Sequence, residues 1–176
     1  MAKRHSRDAV TSRLRLRDYD YSTPGDYFVT ICTARRDCLF GDVNDGQVVL
    51  STAGLMVESW WHSIPRRFPT VLLEDIVVMP NHLHGIVELG ACAESEADHA
   101  LPSLSDIMYW FKSITTNDYI LGVRTLNWPA FPGKLWQERY HDHIIRSETA
   151  LNKIRDYIAA NPSQWENDEN NPRRGR

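Results

Sequence analysis

Two histidines separated by one residue, His82 and His84, have the type and spacing needed to bind a metal ion. The run 82–89 has the pattern of a β-strand, and residues two apart on a strand point to the same face. Two neutral imidazoles side by side can bind one divalent cation. Taken alone the pair is weak support, because histidines on a half-open strand face are more often solvated than metal-bound.

A tyrosine and an asparagine near the end of the chain form a second candidate pair. Tyr157 and Asn161 are four residues apart, so on a helix they lie one turn apart on the same face. With Ala150 and Ile154 they make a stripe that faces inward. The Asn161 amide oxygen is then a candidate third metal ligand, with the Tyr157 hydroxyl beside it. From spacing alone, a core stripe ending at a helix terminus is the simpler interpretation.

Together the two pairs have the chemistry of a phosphodiester transesterase. A cation bound to a non-bridging oxygen polarises and aligns the phosphate for in-line attack. Ligands without formal charge leave the full charge of the cation for the phosphate. A tyrosine hydroxyl can attack, but its pKa of about 10 means that it needs help to ionise at neutral pH. A phosphotyrosine link would store the bond energy for rejoining.

A second His-x-His motif, His141 and His143, leaves another interpretation open. Four histidines could form a structural zinc site, although such sites usually recruit cysteine. We consider that use the weaker one. His143 could instead orient a metal ligand or contact DNA, and the sequence does not decide between these roles.

The elements that must position these residues indicate an α+β fold. Extended runs surround a Pro80-Asn81 break, which predicts a hairpin carrying the first histidine pair. Helices are predicted after Ser51, from Ser103 to Gly122, and from Ser147 to Asn161. The remaining extended segments are 27–33, 47–50, 134–137 and 140–145. Because the two strongest strands are adjacent, we expect an antiparallel or mixed sheet with helices packed on it.

Length and composition fit a single domain of an ordinary globular protein. The chain has 176 residues, 42% of them hydrophobic, and no apolar run approaches the ~20 residues that span a bilayer. Met1–Arg7 lacks an apolar stretch behind it, so no secretory signal is expected. Three cysteines without a Cys-x-x-Cys motif indicate neither a disulfide framework nor a thiolate zinc site. We therefore expect a cytoplasmic protein without a membrane partner.

The net charge of −3 hides local basic regions that could contact phosphates. Residues 1–17 form a basic arm, and Lys112 lies on the polar side of a predicted helix. These residues are the predicted DNA contacts, although a basic arm alone is more often a solvated tail. The arm's candidate contacts are Arg13, Arg15 and Arg17.

Three motifs in order resemble those of the HUH tyrosine transposases, in the branch associated with repetitive extragenic palindromic (REP) sequences. Residues 78–87 (VMPNHLHGIV) are similar to the metal-binding signature of that family. Residues 135–146 (LWQERYHDHIIR) resemble the segment before its catalytic helix, and residues 154–162 (IRDYIAANP) resemble that helix. The resemblance runs from about residue 13 to about residue 163.

The resemblance implies a ferredoxin-like fold with the histidines on a central strand. It implies that Tyr157 forms a 5′-phosphotyrosine intermediate on single-stranded DNA, with Mg²⁺ or Mn²⁺ as the cation and short palindromic hairpins as targets. Residues 18–163 would be the catalytic domain and 164–176 a polar tail, in a monomer or homodimer. Two alternatives stay open, a non-catalytic DNA-binding protein of the same fold and a metal-dependent phosphohydrolase that uses water.

Overall fold

The computed structural model describes residues 23–90 and 101–174. Within those ranges the helices are α1 to α4 and the strands β1 to β6, followed by a 3₁₀ helix at Pro162–Asn167. The strands are Gly25–Cys32 (β1), Gly41–Asn44 (β2), Gln47–Leu50 (β3), Val71–Val78 (β4), His82–Leu89 (β5) and His141–Ile145 (β6). The helices are Thr52–His62 (α1), Ile64–Arg67 (α2), Leu104–Thr125 (α3) and Glu148–Ala160 (α4).

Four of the strands form one antiparallel sheet in the order β4-β5-β1-β6. Helix α1 connects β1 to β4, and α3 connects β5 to β6, so two β-α-β units interleave. This is the ferredoxin-like arrangement, and it confirms the predicted α+β fold. Its two central strands are β1 and β5, and β5 carries the histidine pair.

One face of the sheet packs against α1 and α3 and forms the main core. Alternate residues of β1 and β5 point into it, because side chains on a strand alternate between faces. Helix α3 begins at a capping box in which Ser103 and Asp106 bond each other's backbone N–H, as predicted. The strand residues of this layer are Tyr27, Val29, Ile31, Leu83 and Val87, all fully buried.

A glycine in the middle of β5 allows α1 to approach the sheet closely. A Cβ atom on Gly85 would lie 2.4 Å from Cζ2 of Trp61, a fully buried ring. That distance is far inside van der Waals contact, so a larger residue here must displace the indole. Gly85 therefore fixes the height at which α1 sits over the strand that carries His84.

The Gly85→Ala variant should lose about 1–3 kcal/mol of unfolding free energy, the usual cost of overpacking a core. Trp61→Leu removes the ring that the new methyl group would meet. The double variant should therefore be less destabilised than the sum of the two single variants. Urea unfolding of all four proteins measures this, and additive losses would show that the close approach is not what matters.

The opposite face of the sheet is covered by α4 through a smaller apolar layer. Ile86 of β5, Ile145 of β6 and Ile158 of α4 are buried together, with Phe28 and Ile154 packed against them. Helix α4 begins at Ser147, whose side chain accepts from the Ala150 N–H. The helix predicted to carry the candidate tyrosine thus lies over the face of the sheet that carries the histidines.

The prediction that α3 ends at Gly122 is wrong, because the helix continues to Thr125. The glycine serves packing instead. A Cβ atom there would lie 2.2 Å from the ring of Trp128. The Gly122 carbonyl accepts from the N–H groups of Leu126 and Trp128, so the chain folds back over the glycine.

Strand β2 was not predicted, because its sequence is short and polar. It pairs with β3 through a turn at Asp45 and Gly46, which have φ values of 51° and 74°. Positive φ at both central residues is typical of the type I′ hairpin turn, which favours Asp-Gly. Within the described ranges, no helix has both the length and the apolar character needed to cross a membrane.

Candidate metal centre and tyrosine

His82 and His84 lie side by side on β5 and are covered almost completely. Their backbone partners on β1 are Cys32 and Thr30. The side chains are 0% and 3% exposed, and their ring centroids are 4.7 Å apart. This burial corrects the expectation of a half-open face, because α4 and the residues after it cover the pair. A solvated histidine pair is therefore not the correct interpretation.

The hydrogen bonds around His82 define which ring nitrogen carries a proton. The Asn81 side-chain NH₂ donates to the carbonyl oxygens of Arg36 and Asn170, each at 2.8 Å. The Asn81 Oδ1 atom must therefore be the one that lies 2.9 Å from His82 Nδ1. Since that oxygen can only accept, Nδ1 donates and the Nε2 lone pair is free for a ligand.

His84 is oriented by two residues of β1. A hydrogen bond of 2.7 Å joins its Nδ1 atom to Thr30 Oγ1. The Phe28 ring stacks on the imidazole with centroids 5.4 Å apart and planes 20° apart. Burial lowers the pKa of His84 well below its ordinary value, and the neighbouring His82 lowers it further. Both contacts fix the ring with Nε2 directed at the space beside His82.

Two buried polar atoms at this site have no hydrogen-bond partner. They are His82 Nε2 and Asn161 Oδ1, the latter on a residue that is 2% exposed. Buried acceptors without partners cost free energy, so such atoms call for an explanation. A divalent cation would satisfy both, because imidazole nitrogen and amide oxygen are ordinary ligands of divalent metals. The residues present therefore fit a divalent cation, which the sequence analysis predicted.

Asp168 belongs to the same cluster and was not found from the sequence. Its Oδ2 atom lies 3.8 Å from His82 Nε2, and its side chain is 6% exposed. Ligand atoms of His82, His84 and Asp168 all lie within 4.8 Å of one another, so the group could hold one metal ion. The sequence analysis treated residues 164–176 as a polar tail, whereas the 3₁₀ helix at Pro162–Asn167 turns the chain back to the sheet.

The Tyr157 hydroxyl lies at the entrance to this cluster. It is 3.4 Å from His84 Nε2, and the two ring centroids are 5.2 Å apart. The side chain is 43% exposed, so a substrate can reach it. Burial raises the pKa of Tyr157, and Asp168 raises it further. The hydroxyl is therefore protonated at neutral pH and needs a nearby positive charge to ionise.

An ion pair ties the helix that carries Tyr157 to the edge of the sheet. The Arg155 guanidinium contacts Glu74 at 2.8 Å and Asp75 at 3.2 Å. The register in which β4 pairs with β5 shifts between Leu73 and Ile76. Glu74 and Asp75 lie within this irregular stretch. The ion pair therefore holds α4 against the edge of the sheet at a position two residues before Tyr157.

The other predicted site residues lie elsewhere. Lys112 donates to the carbonyls of Gln137 and Glu138 at 2.6 and 2.9 Å, which leaves one of its three donors for a phosphate. His143 is exposed on β6 and pairs with Phe28 across the sheet. The predicted contacts of the basic arm, Arg13, Arg15 and Arg17, lie outside the described residues.

The second histidine pair does not join the first in the described part of the chain. His141 and His84 both pair with Thr30, one on each side of β1. Two strand spacings, about 10 Å, therefore separate their Cα atoms, with β1 between them. The candidate metal cluster accordingly includes neither His141 nor His143.

Acid should destabilise the protein when no cation is bound. Burial lowers the pKa of His82 to about 4 from 6.5, so the unfolded state binds its proton first. Stability is then lost as pH falls from 6.5 to 4, by about 3 kcal/mol from this group alone. Urea unfolding in excess chelator measures the loss. The His82→Gln variant should show a weaker pH dependence, and an equal dependence in both proteins would contradict the prediction.

Comparisons with known proteins agree with this fold. An uncharacterised protein of Haemophilus influenzae is 34% identical over 174 residues, covering 89% of this chain and 90% of its own. A solved REP-associated tyrosine transposase bound to a REP hairpin superposes with a TM-score of 0.59 at 23% identity, covering 86% of this chain and 74% of its own. A candidate transposase from Deinococcus radiodurans R1 has a TM-score of 0.50 at 18% identity, covering 84% and 96%. No protein-family model matches the chain.

The fold is therefore that of the REP-associated tyrosine transposases, as the sequence resemblance implied. By sequence, the chain belongs to the same family as the Haemophilus influenzae protein.

Proposed function

We propose that this protein is a transposase-like enzyme that cuts and rejoins single-stranded DNA through Tyr157, using a divalent cation. One observation carries the proposal. A reachable tyrosine hydroxyl lies 3.4 Å from His84 Nε2, beside two buried ligand atoms that have no partner. A cation-binding cluster next to an accessible nucleophile is what phosphoryl transfer to a tyrosine requires.

Each residue has a defined part in the proposed reaction. His82, His84 and Asn161 bind the cation, which when bound polarises the scissile phosphate. The Tyr157 hydroxyl gives up its proton as its oxygen attacks phosphorus, the bond from phosphorus to the 3′ oxygen breaks, and the 3′ oxygen gains a proton in turn. The products are a 5′-phosphotyrosine and a free 3′ hydroxyl. Attack by that hydroxyl, or by another, reverses the step and rejoins the strand without an external energy source.

The proposed substrate is single-stranded DNA that carries a hairpin. The solved relative bound to a REP hairpin supports this, and so does the position of Tyr157, which is half-exposed on the helix-covered face of the sheet. Mg²⁺ or Mn²⁺ is the proposed cation, because nitrogen ligands are joined at the site by amide and carboxylate oxygens.

The test is capture of a covalent adduct from a pool of hairpin-bearing single strands labelled at the 3′ end. With Mn²⁺, labelled DNA should stay with the protein under denaturing conditions, and peptide mapping should locate it on Tyr157. Cleavage without an adduct would indicate a phosphohydrolase that uses water. Binding without cleavage would indicate a non-catalytic DNA-binding protein.

A further inference from the structure

We propose that Asp168 is a ligand of the cation held by His82 and His84, so that a carboxylate completes the site from the segment after the catalytic helix. The inference rests on the proposed function only for the existence of a cation. It adds an anionic ligand to the set of two imidazoles and one amide that the sequence indicates.

Two hydrogen-bond acceptors, His82 Nε2 and Asp168 Oδ2, face each other in this buried site. The hydrogen bonds of Asn81 leave His82 Nε2 with a lone pair, and the Asp168 Oδ2 atom lies 3.8 Å from it. That separation is too long for a hydrogen bond. A carboxylate oxygen and an imidazole lone pair repel each other unless positive charge lies between them. A cation bound by both removes the repulsion.

A hydrogen bond orients the Asp168 carboxylate towards His82. Its other oxygen, Oδ1, accepts from the Asn170 N–H at 2.6 Å, so the group is fixed with Oδ2 towards His82. At 6% exposure the side chain is also largely removed from water. Its Oδ2 atom therefore faces the unpartnered Nε2 atom of His82 instead of solvent.

The segment carrying Asp168 is anchored to the loop that follows β1 and to the turn that precedes β5. Asn81 donates to the Asn170 carbonyl at 2.8 Å, and Arg36 donates to the Glu169 carbonyl at 2.8 Å. Asn170 is itself 7% exposed. Asn81 thus orients His82 with its oxygen and holds the Asp168 segment with its nitrogen. One residue places both proposed ligands.

A carboxylate ligand changes what the site binds and how tightly. It lowers the net charge of the metal centre, the cation together with its ligands, from +2 to +1. It also adds a hard oxygen ligand, which favours oxygen-preferring divalent ions. Losing a ligand should weaken binding more than losing a residue that only orients one, which typically costs 10–100-fold in affinity. We therefore expect at least a roughly tenfold effect on Mn²⁺ affinity when Asp168 is neutralised.

The test is Mn²⁺ binding by isothermal titration calorimetry, without DNA, in matched variants. Asp168→Asn removes the charge but keeps an oxygen for the Asn170 N–H. Glu169→Gln removes the same charge one residue away, where the side chain is exposed. Asp168→Asn should bind Mn²⁺ about tenfold more weakly or worse, and Glu169→Gln should bind it nearly as the parent protein does.

Equal losses in the two variants would show a general charge effect and overturn the proposal, as would unchanged affinity in Asp168→Asn. His82→Ala separates this failure from that of the proposed function. If His82→Ala also binds Mn²⁺ normally, the proposal that a cation binds at His82 and His84 is wrong. If Asp168→Asn does not fold, the parent protein is titrated with Mg²⁺ and followed by NMR spectroscopy instead. The carboxyl-carbon resonance of Asp168 should then shift more than that of Glu169. A smaller shift at Asp168 would overturn the proposal.

Discussion

Replacing Tyr157 by phenylalanine should abolish DNA cleavage and covalent capture while leaving a folded protein that still binds DNA. The change removes one oxygen and keeps the ring, which packs edge-on against Phe28 at 6.0 Å. The lost oxygen is the one that would bond to phosphorus, and no water or other side chain can form the same intermediate. Removing a nucleophile commonly costs four orders of magnitude or more in rate, so activity should fall below detection.

The measurement is a denaturing gel of protein incubated with labelled hairpin DNA and Mn²⁺, alongside DNA binding and thermal unfolding. Tyr109→Phe is the matched control, because that side chain is 77% exposed and lies on α3, on the other side of the sheet. It should cleave normally. An adduct in Tyr157→Phe, or one that maps to Tyr119 or Tyr140 in the parent protein, would show that the nucleophile is another residue.

Loss of either histidine should abolish Mn²⁺-dependent cleavage, with His82→Ala and His84→Ala as the variants. Each removes a nitrogen that no neighbouring side chain replaces. Because both rings are buried, truncation also leaves a cavity, and we expect about 2–3 kcal/mol of destabilisation in addition. Activity must be compared at a temperature where both variants are folded.

His62→Ala is the control for the histidine variants. It removes an exposed imidazole at the end of α1, on the face of the sheet away from the metal cluster. Cation affinity and cleavage are measured for all three proteins, and excess chelator is added to the parent protein. Full activity in His82→Ala or His84→Ala, or in chelator, would exclude a catalytic metal at this site.

Local patterns were enough to predict the parts of the site that depend on periodicity. The alternation along β5 placed His82 and His84 on one face, and helical spacing placed Tyr157 and Asn161 one turn apart. That the two pairs lie together was a hypothesis from their combined chemistry and from the family resemblance, not from periodicity. The contact itself depends on α4 crossing the sheet, which periodicity does not specify.

Features created by chain reversals and register were not predictable. Asp168 reaches His82 because a 3₁₀ helix turns the chain back after α4, and nothing in the surrounding acidic sequence distinguishes it from Glu169. Gly122 was predicted to end a helix, although it is there to make room for Trp128. The helix sequence does not reveal that contact, because Trp128 lies in the chain beyond the helix. The two carbonyl partners of Lys112 could not be predicted either, because they lie in a loop 25 and 26 residues further along the chain.

The register shift in β4 also bears on self-association. Strand β4 is at the edge of the sheet, and an edge strand offers unpaired N–H and C=O groups on which another chain can add a strand. Here the irregularity between Leu73 and Ile76 breaks the flat template, and Glu74 and Asp75 add charge at the break. The residues that hold Arg155 thus also protect this edge against aggregation. Variants that restore a regular, uncharged β4 would lose that protection together with the anchor of α4.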